Sequence, residues 1–285
     1  MALISGKTAF VLAGGGSLGS IQVGMLRAIV AAGVVPDFIV GSSVGAVNAS
    51  YFAACPDAQG VERLAEIWLG LRRADIFPFT WATAVGLFRH PNNLVDPAGL
   101  RRVIESNLPY ARLEDAALPV HVVATDAQGL DVCISRGPAV EAILASAAIP
   151  GVFPPVWIDG RALMDGAIAA NTPIGVAARL GASRIVVLPT GFACALKEPP
   201  QGAMAKALHA ITLLISAQLM HELDRLPPEI TAHVAPILCP LDVSPFDFAA
   251  SGELIDRAAR STCAWIADGG LTRRSCASEL APHPH

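Results

Sequence analysis

Residues 38–54 read FIVGSSVGAVNASYFAA, and this stretch decides the fold. The apolar run Phe38-Ile39-Val40 predicts a buried strand, Gly41-Ser42-Ser43-Val44-Gly45 predicts a sharp turn, and the alanine-rich continuation predicts a helix to about Ala54. A serine in a G-x-S-x-G turn between a strand and a helix sits on a strained elbow, where small neighbours let another molecule approach its hydroxyl. We therefore expect Ser43 to be a nucleophile, with Gly41 and Gly45 as the small residues of the elbow. A tight strand-to-helix turn with a serine helix cap is the alternative.

A glycine-rich turn, Gly14-Gly15-Gly16-Ser17-Leu18-Gly19, follows the predicted strand Thr8–Ala13 and opens a predicted helix. Successive glycine N–H groups at a helix N-terminus form an anion site, and in acyl transfer that anion is the tetrahedral oxyanion. Gly14, Gly15 and Gly16 are thus candidates for an oxyanion hole. The same glycines fit the G-x-G-x-x-G fingerprint of dinucleotide binding, which also requires an acidic residue at the end of the second strand. Asp37 precedes that strand instead, so a non-catalytic dinucleotide-binding module is the weaker alternative.

Composition narrows the class of protein. The chain has 285 residues, of which 53% are hydrophobic and 15% charged, with a mean hydropathy of +0.51, so it can bury a large core. A net charge of −4 and a pI near 6.0 give no basic field, which argues against nucleic acid as a partner. Six cysteines without a C-x-x-C pair, and the lack of a signal-peptide pattern at the start, predict reduced thiols and a cytoplasmic location. Association into a homo-oligomer stays open.

Strands alternate with helices along the chain, which predicts an α/β fold with a mainly parallel sheet covered on both faces. Asp159-Gly160, between Val156–Ile158 and Arg161–Met164, predicts a two-residue hairpin. The longest apolar stretch, Ala203–Leu226, is interrupted by polar residues, so we expect no membrane span. We expect one domain over residues 1–272 and a flexible tail over residues 273–285. Further strands are predicted at His121–Ala124, Asp131–Ser135, Arg184–Leu188 and near His233–Leu238, and further helices at Val61–Leu71, from Pro138 through Ala147, at Pro173–Leu180, Ala203–Leu226 and near Gly252–Ala267.

A third motif, Asp165-Gly166-Ala167, follows the predicted hairpin. By itself it is typical of an ordinary turn aspartate. In order along the chain, however, the glycine-rich turn, the elbow, the proline-bearing block at residues 145–155 and this motif resemble the patatin-like phospholipases. The resemblance covers about residues 8–190. One departure is Leu18, which stands where many members of that family carry a basic residue.

The resemblance implies a three-layer α/β/α sandwich that hydrolyses acyl esters of lipids with a Ser–Asp dyad and no histidine. Carried over by position, Ser43 is the nucleophile, Asp165 its partner, and the backbone of Gly14–Gly16 the oxyanion hole. It implies an esterase or phospholipase A-type activity on a lipid or acyl-ester substrate, with no metal and no organic cofactor. An acyltransferase or thioesterase on the same site is the alternative that the resemblance leaves open.

Two further alternatives concern side chains outside these motifs. His209, His221 and His233 follow Asp165 in the order of a Ser–Asp–His triad, but they fall in a predicted helix or strand rather than in a loop at a strand end. The region Trp68–Phe88 concentrates aromatic residues in largely irregular sequence. It predicts either a loop packed against the core or a lipid-facing cap that makes peripheral contact with a membrane.

Overall fold

The computed structural model describes residues 6–77, 95–191, 201–239, 241 and 243–280. Within these residues eight strands form one sheet in the order β5-β6-β3-β2-β1-β7-β8, and β4 also pairs with β3. The strands are β1 (Lys7–Leu12), β2 (Phe38–Ser42), β3 (Val120–Thr125), β4 (Asp131–Ile134), β5 (Val156–Ile158), β6 (Arg161–Asp165), β7 (Ala182–Leu188) and β8 (Thr231–Val234).

The sheet is parallel through its centre and antiparallel at one side. Strands β3, β2, β1, β7 and β8 pair in parallel, whereas β4 and β6 run antiparallel to β3. Parallel neighbours end at the same edge of the sheet, so the turns after β1 and β2 lie side by side. The predicted α/β fold with a mainly parallel sheet is confirmed.

Strand β1 shows why both faces of the sheet are covered. Successive side chains of a strand point to opposite faces, and here Phe10 and Leu12 belong to one buried cluster while Ala9 and Val11 belong to another. All four are buried, so an apolar run without polar alternation is what a central parallel strand requires.

Helices form the two outer layers. The first cluster contains apolar side chains of α1, α2, α3, α5, α6 and α10, and the second those of α8 and α9, so the sheet lies between two helical layers. The helices of the described residues are α1 (Gly19–Ala31), α2 (Val44–Ala54), α3 (Ala58–Gly70), α4 (Arg73–Ile76), α5 (Ala98–Asn107), α6 (Ala139–Ser146), α7 (Ala167–Ala170), α8 (Ile174–Arg179), α9 (Ala203–Asp224) and α10 (Ser251–Ala267).

Helix α5 and strand β8 are among the elements that differ from the sequence expectation. Helix α5 was not predicted, although Asp96 accepts a hydrogen bond from the N–H of Ala98 and Leu100 and Ile104 share one buried face, both of which are signals of a helix. Strand β8 ends at Val234, short of the predicted Leu238, because Pro236 has no N–H to continue the ladder.

The first part of the segment predicted as a flexible tail makes specific contacts with the fold. Ser275 donates its N–H to the carbonyl of Ala232 and accepts the N–H of Val234 at its hydroxyl, both over 2.9 Å. The carbonyl of Arg273 lies 2.8 Å from Nδ1 of His233. Arg273 and Ser275 thus add hydrogen bonds to strand β8.

The prediction that all cysteines are reduced is wrong at Cys239, which is disulfide-bonded. Four of the other cysteines are not in a disulfide: Cys55, Cys133, Cys263 and Cys276. Disulfides are more typical of oxidising compartments than of the cytosol, so the cytoplasmic location stays a prediction. None of the helices in the described ranges has both the length and the apolar composition that a membrane span needs.

Candidate active site

Ser43 stands on the turn between β2 and α2 with φ 52° and ψ −126°, a backbone conformation that non-glycine residues rarely adopt. The glycines beside it make this turn sterically feasible. A side chain at Gly41 would overlap the carbonyl of Gly45, and one at Gly45 would overlap the carbonyl of Leu12. The G-x-S-x-G segment is therefore a strained strand–turn–helix elbow, as its pattern predicts.

The hydroxyl of Ser43 donates a hydrogen bond of 2.7 Å to Oδ2 of Asp165, which lies 122 residues further along the chain. Asp165 is the last residue of β6, and the pairing of β6 with β3 sets it beside Ala124 at the edge of the sheet where β2 also ends. Its second carboxylate oxygen, Oδ1, accepts the N–H of Ala167 over 2.8 Å. Both oxygens of the carboxylate therefore have a donor.

Burial changes the acidity of this carboxylate. Asp165 is 3% exposed, and removal from water raises its pKa to about 6, although the hydrogen bonds from Ala167 and Ser43 act in the opposite direction. A carboxylate with this pKa is ionised at neutral pH and is a stronger base than an exposed aspartate. The site thus pairs a hydroxyl with a base that can accept its proton.

Ser146 is a site residue to which no sequence motif assigns a role. Its hydroxyl accepts the N–H of Ser43 over 2.9 Å and donates to the carbonyl of Val123 over 2.5 Å. Its own carbonyl accepts the N–H of Gly166, next to Asp165. Ser146 therefore ties the elbow to the strand that carries the carboxylate, and it lies too far from Ser43 in sequence for any local pattern to show this.

The glycine-rich turn, where three oxyanion donors are predicted, has one N–H group that is engaged by the protein. Gly14 donates its N–H to the carbonyl of Asn171 over 3.0 Å, so this group is already engaged. The N–H groups of Gly15 and Gly16 have no acceptor within the described part of the chain, and both residues border the same cavity as Ser43. Gly15 and Gly16 are thus the available donors for an anion.

A buried polar network fixes the glycine-rich turn against the elbow helix. Gln22 of α1 donates to the carbonyls of Ala13 and Leu188 at 2.8 and 2.9 Å, and its side-chain oxygen accepts Nδ2 of Asn48 of α2. The indole N–H of Trp68 completes the network by donating to Oδ1 of Asn48 over 2.9 Å. Because buried polar groups are costly unless paired, this network holds α1, α2 and α3 in one arrangement.

Ser43 donates directly to the carboxylate, and no imidazole stands between the two groups. His233 is buried and its Nδ1 faces the carbonyl of Arg273 in the C-terminal segment, so it is engaged elsewhere. His221 lies on the exposed side of α9. The side chain of His209 lies outside the described residues. The described histidines therefore form no triad with Ser43 and Asp165.

Two cavities meet at Ser43. A narrow one, of ≈ 80 Å³, is lined by apolar side chains of α2, α3, α4 and α5. A wider one, of ≈ 510 Å³, is bordered by α9 and receives polar groups from Asp165, Asn171 and Gln218. Among the described residues no group of three or more His, Cys, Asp or Glu is placed to hold a metal ion.

The region predicted as a loop or lipid-facing cap is only partly described. Trp68 is 3% exposed and stacks on Phe248 with ring centroids 6.0 Å apart, so it faces the interior. Phe77 is half-buried and stacks on Phe153 at 5.7 Å. Phe79, Trp81 and Phe88 lie outside the described residues, and the membrane contact predicted there stays a prediction.

Fold and site together define an α/β protein in which a serine on a strand–turn–helix elbow contacts a buried carboxylate at the carboxyl edge of a mainly parallel sheet. Residues 10–178 match the family described as patatin-like phospholipase. The chain belongs to this family, as the order of its motifs indicates.

Individual relatives agree with the family match. The chain is 29% identical over 192 residues to patatin-like phospholipase domain-containing protein 7 of Rattus norvegicus, an alignment that covers 66% of this chain and 14% of the rat protein. It is 33% identical over 196 residues to an uncharacterized NTE family protein of Mycobacterium bovis, covering 65% of this chain and 49% of that protein. The chain therefore spans only a small part of the rat relative and about half of the mycobacterial one.

Among solved structures, VipD from Legionella pneumophila shows 14% sequence identity and a TM-score of 0.47, with 93% of this chain and 66% of that chain covered.

Proposed function

We propose that this protein hydrolyses carboxylic esters of lipids, with Ser43 as the nucleophile and Asp165 as the base. The observation that carries the proposal is the 2.7 Å hydrogen bond from the Ser43 hydroxyl to a buried carboxylate whose pKa burial raises to about 6. Membership of the patatin-like phospholipase family and the narrow apolar cavity beside Ser43 support a lipid ester as the substrate class.

The chemistry follows from the positions of the donors and acceptors. Asp165 accepts the proton as the oxygen of Ser43 bonds to the ester carbonyl carbon, and the N–H groups of Gly15 and Gly16 stabilise the negative charge on the carbonyl oxygen. The carbon–oxygen bond to the leaving alcohol then breaks, and Asp165 returns the proton to that alcohol. Water attacks the resulting acyl-enzyme with Asp165 again accepting a proton, which passes to Ser43 as the acid is released.

The neighbouring hydroxyl provides a matched control for the nucleophile. Ser42 is fully buried at the end of β2, and its oxygen has no hydrogen-bond partner among the residues described, so Ser42→Ala removes no interaction there. We expect Ser43→Ala to abolish hydrolysis of short acyl esters and covalent labelling by a fluorophosphonate. Ser42→Ala should be labelled and should retain most of its activity.

Both variants should unfold at temperatures close to that of the wild type, which circular dichroism checks. Full activity in Ser43→Ala, or labelling of a different serine, would refute the assignment of the nucleophile. Product analysis with water alone and with an added alcohol acceptor separates hydrolysis from acyl transfer on the same site.

A further inference from the structure

The narrow cavity begins at Ser43 and follows one face of helix α2. Val44, Val47 and Tyr51 line it from successive turns of that helix, at the three- and four-residue spacing that places side chains on one side. No charged side chain lines it among the residues described. The cavity is therefore an apolar pocket that opens at the hydroxyl of Ser43.

The polar ends of the aromatic residues in this pocket are turned to protein partners. The hydroxyl of Tyr51 donates to the carbonyl of Val103 over 3.1 Å, and the indole N–H of Trp68 donates to Asn48 over 2.9 Å. Both rings therefore present carbon to the cavity and offer no free hydrogen-bonding group. A ligand in this pocket gains binding free energy by burying apolar surface, and any polar group of its own would be left unpaired.

The wider cavity differs because Asp165 lines it. The proton that Asp165 takes from Ser43 must reach the oxygen of the leaving alcohol, so that oxygen has to lie on the side of the carboxylate. Asn171 and Gln218 add further polar groups there, whereas Asp165 does not line the narrow cavity. The cavity that contains the carboxylate can therefore return a proton to a leaving alcohol, and the narrow cavity cannot.

From these observations we infer that the narrow pocket along α2 binds the acyl chain and that the wider cavity beside α9 holds the leaving group. This assignment rests on the proposed ester hydrolysis at Ser43 and deepens it by defining what each side of the ester bond contacts. The substrate it predicts carries an uncharged aliphatic acyl chain, while its alcohol part can be larger and can carry polar groups.

The dependence of kcat/KM on the length of the acyl chain tests this assignment directly. Each methylene that enters the pocket should raise kcat/KM by about fourfold until the pocket is full, since burying one methylene stabilises the complex by that factor. We expect this rise across p-nitrophenyl acetate, butyrate, hexanoate and octanoate, all measured below the concentrations at which they aggregate. Equal kcat/KM values across the series would overturn the assignment.

A substitution that narrows the pocket along α2 tests whether this pocket binds the acyl chain. Val47→Phe adds volume inside the pocket, and it should lower the octanoate-to-acetate ratio of kcat/KM by about tenfold, equivalent to excluding between one and two methylenes. Val35→Phe makes the same change at a residue that is 72% exposed and lines neither cavity, and its ratio should equal that of the wild type. If Val47→Phe folds normally and lowers kcat/KM by the same factor for both esters, the assignment is refuted.

The wider cavity is tested with acetate esters of alcohols of increasing size. Leu214 lines this cavity. Leu214→Ala should change how kcat/KM depends on the size of the alcohol and should leave its dependence on acyl-chain length as in the wild type. Leu213→Ala is the control on the same helix, because Leu213 is 45% exposed and lines neither cavity. An effect of Leu214→Ala on the acyl series instead would show that the two cavities have the opposite roles.

The assignment and the proposed function fail in different ways. If no ester is hydrolysed in a Ser43-dependent manner, the proposed function itself is wrong. If Ser43-dependent hydrolysis is present but does not respond to acyl length or to Val47→Phe, only the assignment of the cavities is wrong.

Discussion

Asp165 is an ionisable side chain held where its charged form is unfavourable. Its pKa in the folded protein is about 6, against an ordinary value of 3.8, and burial is the main cause. The folded protein binds a proton at Asp165 more tightly than the unfolded chain does. The stabilisation that this proton provides is therefore fully present below pH 3.8 and is lost as the pH rises through about 6. At neutral pH the ionised carboxylate thus costs stability, by about 3 kcal/mol if the whole difference in pKa is counted.

The reaction needs the ionised carboxylate, yet burying that charge costs stability. Asp165→Asn should therefore have opposite effects on activity and on stability. Activity should fall nearly as far as in Ser43→Ala, since an amide cannot accept the proton, while the free energy of unfolding at pH 8 should rise by about 1–3 kcal/mol because no buried charge remains. Urea unfolding at pH 8 and at pH 4 measures this, and the gain should shrink at the lower pH.

The pH profile of the wild type provides the matching observation. Hydrolysis needs the ionised carboxylate, so kcat/KM should be constant above pH 7 and fall about tenfold per pH unit well below the pKa of Asp165. A flat profile between pH 4 and pH 8, or high activity in Asp165→Asn, would contradict Asp165 as the base.

At the scale of elements, the hairpin of β5 and β6 carries Asp165 to the site. Its two-residue turn has φ 50° at Asp159 and φ 75° at Gly160, the left-handed pair that Asp-Gly turns favour and that matches the twist of the flanking strands. The sequence predicted this turn because the two residues determine it largely by themselves.

Gly160→Val should destabilise the protein by about 1–2 kcal/mol, since a branched side chain is strained in the left-handed region, and thermal unfolding measures this. Asp159→Asn is the control, because Asn-Gly supports the same turn and should leave the melting temperature near that of the wild type. Nothing lies within 4 Å of a side-chain carbon placed at Gly160, so a loss in the valine variant reports backbone strain rather than a clash. Equal stability of all three proteins would show that the turn contributes little.

At the scale of the whole molecule, the C-terminal segment contributes to the edge of the sheet. The hydroxyl of Ser275 accepts the N–H of Val234 in β8, so Ser275→Ala should lower the free energy of unfolding by about 1 kcal/mol. Ser278→Ala changes an exposed hydroxyl three residues further on and should alter it by less than about 0.5 kcal/mol. Equal and negligible effects of both substitutions would support the flexible tail that the sequence predicts.

The sheet also explains which site contacts sequence patterns cannot show. Ser43 and Asp165 meet because β6 pairs with β3 and β3 with β2, a strand order that no spacing along the chain specifies. The same packing engages the N–H of Gly14, one of the three predicted oxyanion donors, with the carbonyl of Asn171. Ser146 reaches the elbow by the same route.

The sequence by itself determined the features that a few neighbouring residues control. The strained elbow at Ser43, the Asp159-Gly160 turn, the buried central strands and the α/β class follow from steric freedom, turn preference and apolar periodicity, which act over short distances along the chain. The pairing of Ser43 with Asp165 was indicated only by the family resemblance, and tertiary structure brings the two side chains together. Tertiary structure alone decided which glycine N–H groups are left without an acceptor among the described residues, and it alone formed the two cavities. These depend on strand order, register and the packing of helices from distant parts of the chain, where a shift of one residue in register would turn every side chain of a strand to the other face.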